Sequence, residues 1–205
     1  MPADEASGGA VRPRRVARPT EERLWRRALF YLERFATTRA HLHEVLRRRA
    51  LREARALDLD AREIETRVAR VVARAVEAGL VDDAAFALAR ARRLLERGVS
   101  PRSLRVRLRD KGVPAETIER ALEELADEMG DPSHEAARAF ARRRRIGPYR
   151  PPEERDAMRQ RDLAAFARAG FSYHVARAIL DEDRRESHGD GRNRFGVASS
   201  DRRSR

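Results

Sequence analysis

The stretch from Gly79 to Leu125 constrains this chain more than any other, because it spells out three short helices with their punctuation intact. Asp82 or Asp83 can cap the first helix, since a short carboxylate accepts hydrogen bonds from the free N–H groups of an opening turn. Phe86, Ala87, Ala91, Leu94 and Leu95 then recur at helical spacing, and Gly98 offers a left-handed exit. Ser100 and Pro101 restart the chain as N-cap and first helical residue. Leu104 and Leu108 lie one turn apart, and Gly112 closes that helix. Pro114 opens a third, whose inner face is Ile118, Ala121, Leu122 and Leu125. No step requires a strand, so the expected fold class is all-α.

Weaker copies flank this stretch. Upstream, Leu24, Trp25, Ala28, Leu29, Leu32 and Phe35 form one stripe, and Thr37 or Thr38 can cap a helix carrying Leu42, Val45 and Leu46. Arg47 to Arg62 is charged and less regular; it extends that helix or forms a loop. Ile64, Val68, Val71, Val72, Ala75 and Val76 give a third inner face, ending at Gly79. Downstream, Gly130-Asp131-Pro132 is a stop followed by a start, after which Ala136, Ala137, Phe140 and Ala141 face inward. Gly147, Pro148, Pro151 and Pro152 then break the chain. Met158, Leu163 and Phe166 mark the next helix, which ends at Gly170, and Tyr173, Val175, Ala178, Ile179 and Leu180 mark the last.

The segments superpose. Thr38, Leu42 and Leu46 repeat the spacing of Ser100, Leu104 and Leu108. The interval from Gly112 to Leu122 recurs from Gly170 to Leu180, with Val113 and Phe171 each one residue past the glycine. Three-helix units of this size bury too little surface alone and must stack. The expected architecture is therefore three tandem three-helix repeats, at 21–80, 81–129 and 130–183, in an elongated, curved array. Residues 1–20 and 184–205 lack hydrophobic periodicity and read as disordered basic tails.

Composition narrows the function. The 41% hydrophobic content includes only 5% aromatic residues, which suits thin helical layers better than one thick core. Without cysteine the chain has no disulfide and no thiolate site. No apolar run approaches the ~20 residues that cross a bilayer, and the N-terminus lacks the apolar segment of a secretory signal. These readings lead to the expectation of a cytoplasmic protein with no membrane contact. The formal charge is +12, and Lys111 is the only lysine, so the cations are almost all arginine. Residues 1–20 carry four arginines against Asp4 and Glu5, and residues 184–205 carry seven against three acids, so half the excess lies in the tails.

Catalytic chemistry is not legible. His41 and His43 point to different sides of a helix and make a poor metal pair, and His134, His174 and His188 stand alone. Gly8-Gly9 follows no strand, and Glu123-Glu124 and Asp181-Glu182-Asp183 read as solvated helix ends. The expectation is a non-enzyme with no metal, no cofactor and no small-molecule substrate.

The arginine clusters are the better candidates. Arg90, Arg92, Arg93 and Arg97 lie on the first helix of the central unit, and Arg102, Arg105, Arg107, Arg109 and Lys111 lie on the second. Arg105 and Arg109 share a face with Arg102 nearby. Arg142, Arg143, Arg144 and Arg145 are consecutive, so some of them must face solvent on any helix. A guanidinium fork grips phosphate or carboxylate with two bonds. Contact with DNA phosphates or acidic patches on a partner is thus expected at Arg92, Arg93, Arg97, Arg102, Arg105, Arg109, Lys111 and Arg142 to Arg145. Nothing resembles a recognition helix or an aromatic stacking platform, so any DNA binding should be nonspecific and salt-sensitive.

The run Gly79-Leu80-Val81-Asp82-Asp83, Phe86-Ala87, Gly98, Ser100, Leu104, Leu108, Lys111-Gly112-Val113 and Ile118 with Ala121-Leu122 resembles the RecX family of bacterial regulators of the RecA recombinase. Phe166, Gly170-Phe171-Ser172 and Ile179-Leu180 extend the likeness, which covers roughly Glu21 to Asp183. The resemblance implies the three tandem repeats, with Gly79, Asp82, Asp83, Phe86, Gly98, Ser100, Leu104, Leu108, Gly112, Ile118, Leu122, Gly170 and Phe171 as structural signature positions. It also implies a regulator lying along the RecA–DNA filament, and the chain is expected to be a monomer. Such a protein would inhibit RecA ATP hydrolysis, strand exchange and coprotease activity, tempering recombinational repair and the SOS response. Two features depart from the family: a longer Arg47–Arg62 segment and a proline-rich Arg145–Arg155 segment. The alternatives are a sequence-independent binder of single- or double-stranded DNA acting without RecA, and a helical scaffold for another acidic protein.

Overall fold

A computed structural model describes residues 16–182. Among the described residues there are nine α-helices and no strand: α1 (Glu21–Leu32), α2 (Arg39–Ala56), α3 (Ala61–Glu77), α4 (Asp83–Glu96), α5 (Pro101–Arg109), α6 (Ala115–Met129), α7 (Pro132–Arg144), α8 (Pro152–Ala169) and α9 (Tyr173–Leu180). The chain divides into two compact units, Met1–Asp82 and Asp83–Arg205. The expected basic tails fall, apart from residues 16–20, outside the described residues.

In the first unit each helix opens on a side-chain cap. Thr20 Oγ1 accepts from Arg23 N, Thr38 Oγ1 from His41 N at 3.1 Å, and Asp60 Oδ1 from Arg62 N at 2.9 Å. Each cap satisfies an N–H that a helix cannot pair internally. Leu24, Ala28, Leu42, Leu46, Ile64 and Val68 meet in a core with at most 3% exposure, and full burial of each larger side chain stabilises the fold by about 1.5–3 kcal/mol. The Arg47–Arg62 segment mostly continues α2. Ala50 and Ala54 keep the buried register, and Glu53 is held by both terminal nitrogens of Arg27, at 2.7 and 2.5 Å. Phe35 does not join the α1 stripe. The helix stops at Leu32, and Phe35 is 55% exposed with its ring 5.1 Å from that of Tyr31. Val76, at the end of α3, is likewise exposed.

In the second unit, buried residues from Ala87 to Ile179 form one cluster, so α4–α6 and α7–α9 share a core. Phe140, Phe166 and Phe171 form an aromatic trio in it, with ring centroids 5.2–5.6 Å apart. The exits of α4, α5 and α8 follow one scheme. At Gly98, Gly112 and Gly170 the chain turns left-handed, and the next residue donates back to the carbonyl five positions earlier: Val99 to Leu94, Val113 to Leu108, Phe171 to Phe166. Val113 and Phe171 are buried, as a staple requires. The exits at Asp58 and Arg145 use the same bond without glycine, with φ of 51° and 53°.

Pattern reading missed what fastens the proline-rich segment. Asp162 lies on α8 and is 2% exposed. It accepts from Gly147 N at 3.1 Å and from Arg150 Nη2 at 3.1 Å, while Arg155 donates to the carbonyls of Pro148 and Arg150. The hydrogen bond to Asp162 is the main reason the Arg150 pKa is raised, so the cation stays charged beside its partner. Tyr173, one of the residues that mark the last helix in the sequence, is 66% exposed at the first position of α9.

Candidate functional site

The cleft in the second unit begins with two glycines. At Gly98, φ is +73°, and a Cβ would lie 2.6 Å from the Phe140 backbone. Only glycine lets α7 come this close, and the approach sets the last turn of α7 against the end of α4. Arg143 then donates to the Arg97 carbonyl, and the Arg144 guanidinium lies 5.6 Å from the Phe140 ring centroid. On the other side, Ser100 Oγ and Ser103 Oγ donate to the Ala169 carbonyl at 2.8 and 3.2 Å. A Cβ at Gly170 would meet Ser100 Oγ at 2.8 Å. That docking brings Arg168, near the end of α8, alongside Arg107, which is one turn beyond Ser103 on α5.

The result is a cleft of about 370 Å³ into which Arg97, Arg107, Arg143, Arg144 and Arg168 project, with no carboxylate in its lining. Among the described residues, none of these five guanidinium groups forms an ion pair. Five converging cations repel one another, and an anion in their midst relieves that repulsion. The arrangement suits phosphate, whose oxygens accept several guanidinium N–H groups at once.

The arginines expected from the sequence divide here. Arg97, Arg143 and Arg144 line the cleft. Arg92 is instead paired with Glu128 at 2.6 Å, and Arg105 grips Glu119 through two bonds of 2.8 and 2.7 Å. The bond to Glu119 raises the Arg105 pKa, and the reciprocal bond lowers that of Glu119, so this pair neutralises itself across α5 and α6. Arg93, Arg102, Arg109, Lys111 and Arg145 are exposed outside the cleft, and Arg142 lines a separate depression with Glu135 and Arg138. Arg168 was not foreseen. It is a lone arginine before Gly170, and nothing in its local sequence sets it apart. The signature positions are structural: Leu104, Leu108, Ile118, Leu122 and Phe171 are buried, Phe86 packs on the core, and Ser100 caps α5. Gly79, Gly98, Gly112 and Gly170 have positive φ, Asp83 begins α4, and Asp82 precedes it. Among the described residues no group of three His, Asp or Glu stands close enough to hold a metal, and no helix is long and apolar enough to cross a membrane.

These features define an all-helical protein built of capped helix sets joined by left-handed turns, with a cationic cleft as its exposed chemistry. Comparison with known proteins gives the particular family. Residues 82–122 match the family model for the second three-helix domain of RecX. The chain is 38% identical over 186 residues to regulatory protein RecX of Myxococcus xanthus (strain DK1622), covering 88% of this chain and 98% of that one. It is 32% identical over 165 residues to regulatory protein RecX of Agrobacterium fabrum, covering 79% and 85%. The chain therefore belongs to the RecX family, whose members matched here are named as regulatory proteins rather than enzymes. The crystal structure of RecX from Lactobacillus salivarius superposes with a TM-score of 0.57 at 19% identity, covering 79% of this chain and 95% of that one, which shows the shared fold.

Proposed function

We propose that this chain is a non-enzymatic regulator of RecA that binds the RecA–DNA filament from the cytoplasm and inhibits RecA ATP hydrolysis, strand exchange and coprotease activity. Three tandem repeats, 21–80, 81–129 and 130–183, supply the surface, and the chain acts as a monomer. Family membership supports the regulatory role. The observation that carries the contact is the five-arginine cleft, a place where backbone phosphates of filament DNA replace missing counter-charges. Contacts to phosphate carry no sequence information, so binding is sequence-independent.

The test is RecA's single-stranded-DNA-dependent ATP hydrolysis, with this protein titrated at substoichiometric ratios. Inhibition well below one copy per RecA is the expected result. The same cleft favours a second reading, a nonspecific DNA binder acting without RecA. Inhibition appearing only at excess, and relieved by added DNA, would establish that reading instead.

A further inference from the structure

A second concave surface lies in the first unit, independent of the cleft above. Arg23, Arg26, Phe30 and Tyr31 of α1 face Val45 and Arg49 of α2 across a groove of about 570 Å³. Its lining holds four arginines and no carboxylate. Arg27 and Arg49 are spoken for by Glu53, but Arg23 and Arg26 form no ion pair among the described residues. The apolar wall is conspicuous: Phe30 is 57% exposed, and the Arg34 guanidinium sits 4.0 Å from its ring centroid.

The second unit shows that this wall is not a requirement of the fold. Leu24 and Ala28, fully buried on α1, correspond to Ala87 and Ala91, fully buried on α4. In that register Phe30 stands where α4 has Arg93; in the register that matches Thr38, Leu42 and Leu46 with Ser100, Leu104 and Leu108, Val45 stands where α5 has Arg107. A solvent-exposed aromatic and a valine replace cations at matching positions, so the first unit has a mixed surface where the second has a charged one. Aromatic and arginine side chains together are the composition of binding surfaces, where rings supply buried area and guanidinium groups supply direction.

We propose that the α1–α2 groove docks an acidic amphipathic helix of a partner protein, with aliphatic side chains against Phe30, Tyr31 and Val45 and carboxylates against Arg23 and Arg26. A helix fits because a groove between two helices accepts the ridge of a third through anchors at i, i+4 and i+7. The acidic character follows from the rim. The chain's own residues 1–15 and 183–205 contain more arginines than acids, so they carry the wrong charge to fill the groove.

The probe is a fluorescein-labelled helical peptide of about 16 residues, with leucines at i, i+4 and i+7 and glutamates on its flanks. Its control carries lysine for glutamate. Anisotropy titrations use the full chain, with far-UV circular dichroism and Trp25 fluorescence confirming that each variant folds. The acidic peptide binds and the lysine peptide does not. Arg26→Glu and Phe30→Ser, both exposed, each weaken binding roughly tenfold or more. The Arg23→Glu/Arg26→Glu double variant gains affinity for the lysine peptide, which loss of folding could not produce. Failure of the acidic peptide to bind, equal binding of both peptides, or variants that bind like the wild type would overturn the proposal. Competition by a labelled oligo-dT for the same variant-sensitive site would also overturn it, in favour of nucleic acid. None of these outcomes bears on the arginine cleft, whose residues all lie in the other unit.

Discussion

The cleft predicts a salt dependence that can be counted. Arg107, Arg144 and Arg168 come from α5, α7 and α8 and meet only in the folded chain. Each guanidinium that neutralises a phosphate of single-stranded DNA releases counterions and contributes about −0.7 to the slope of log K against log salt. Replacing these three by alanine should therefore flatten the slope by about 2 relative to wild type, whatever the rest of the chain contributes. Across a rise from about 50 to 200 mM salt, the wild-type advantage in affinity should shrink by roughly 20-fold. The assay is anisotropy of a labelled oligo-dT at four or five salt concentrations. The control is Arg92→Ala/Arg105→Ala, which removes two arginines already neutralised by Glu128 and Glu119 and should leave the slope nearly unchanged. Net charge cannot account for such a contrast, since both variants lose arginines. The reasoning is refuted if the cleft variant keeps the wild-type slope, or if the paired control flattens it per arginine just as much.

Three further outcomes follow from local geometry. Gly98→Ala places a Cβ 2.6 Å from the Phe140 backbone at a φ of +73°, combining a left-handed cost with a clash. It should destabilise the second unit by about 3 kcal/mol in urea titration, whereas Gly79→Ala, with open space around it, should cost only about 1 kcal/mol. Arg145→Gly relieves a non-glycine left-handed exit and should stabilise that unit by about 1 kcal/mol, read as a shifted urea midpoint with unchanged slope. Glu53 gives a pH signature. Burial is the largest single influence and opposes its charge, but the hydrogen bonds and charges of Arg27 and Arg49 together outweigh it and hold the carboxyl below the ordinary 4.5. A depressed carboxyl adds stability that is present above its unfolded value and lost as pH falls through the folded one. The first unit should therefore lose stability as pH drops below about 4.5, and Arg27→Ala should flatten that dependence in acid unfolding followed by circular dichroism.

Much of the fold was legible because helix signals are local. Thr38, Ser100 and Asp131 announce helix starts, and each does accept from the N–H two or three residues on. The buried stripes from Leu24 to Ile179 were likewise readable from 3.6-residue spacing. Errors came where periodicity ran past a helix end. Phe35 fits the α1 stripe on paper, but the helix stops three residues earlier, so the ring lands on the surface. Asp162 was passed over because a carboxylate at an inner position looks like a break in the pattern. Its partners, Gly147 and Arg150, arrive from a segment folded back against α8.

The arginine cleft shows where such reading stops. From the sequence alone, Arg92, Arg105 and Arg144 are equivalent cations on helices. Whether a cation is neutralised depends on which acid stands within about 4 Å, and that is a property of packing between helices far apart in the chain. Glu128 and Glu119 silence Arg92 and Arg105 from α6, while Gly98 and Gly170 admit α7 and α8 closely enough to gather Arg97, Arg107, Arg143, Arg144 and Arg168. An all-helical, capped and repeated chain is written in local sequence, because caps, glycine exits and apolar spacing act within a turn or two. Which charges remain unpaired is set by how the helices pack, because charge pairing acts across distances in space that chain order does not encode.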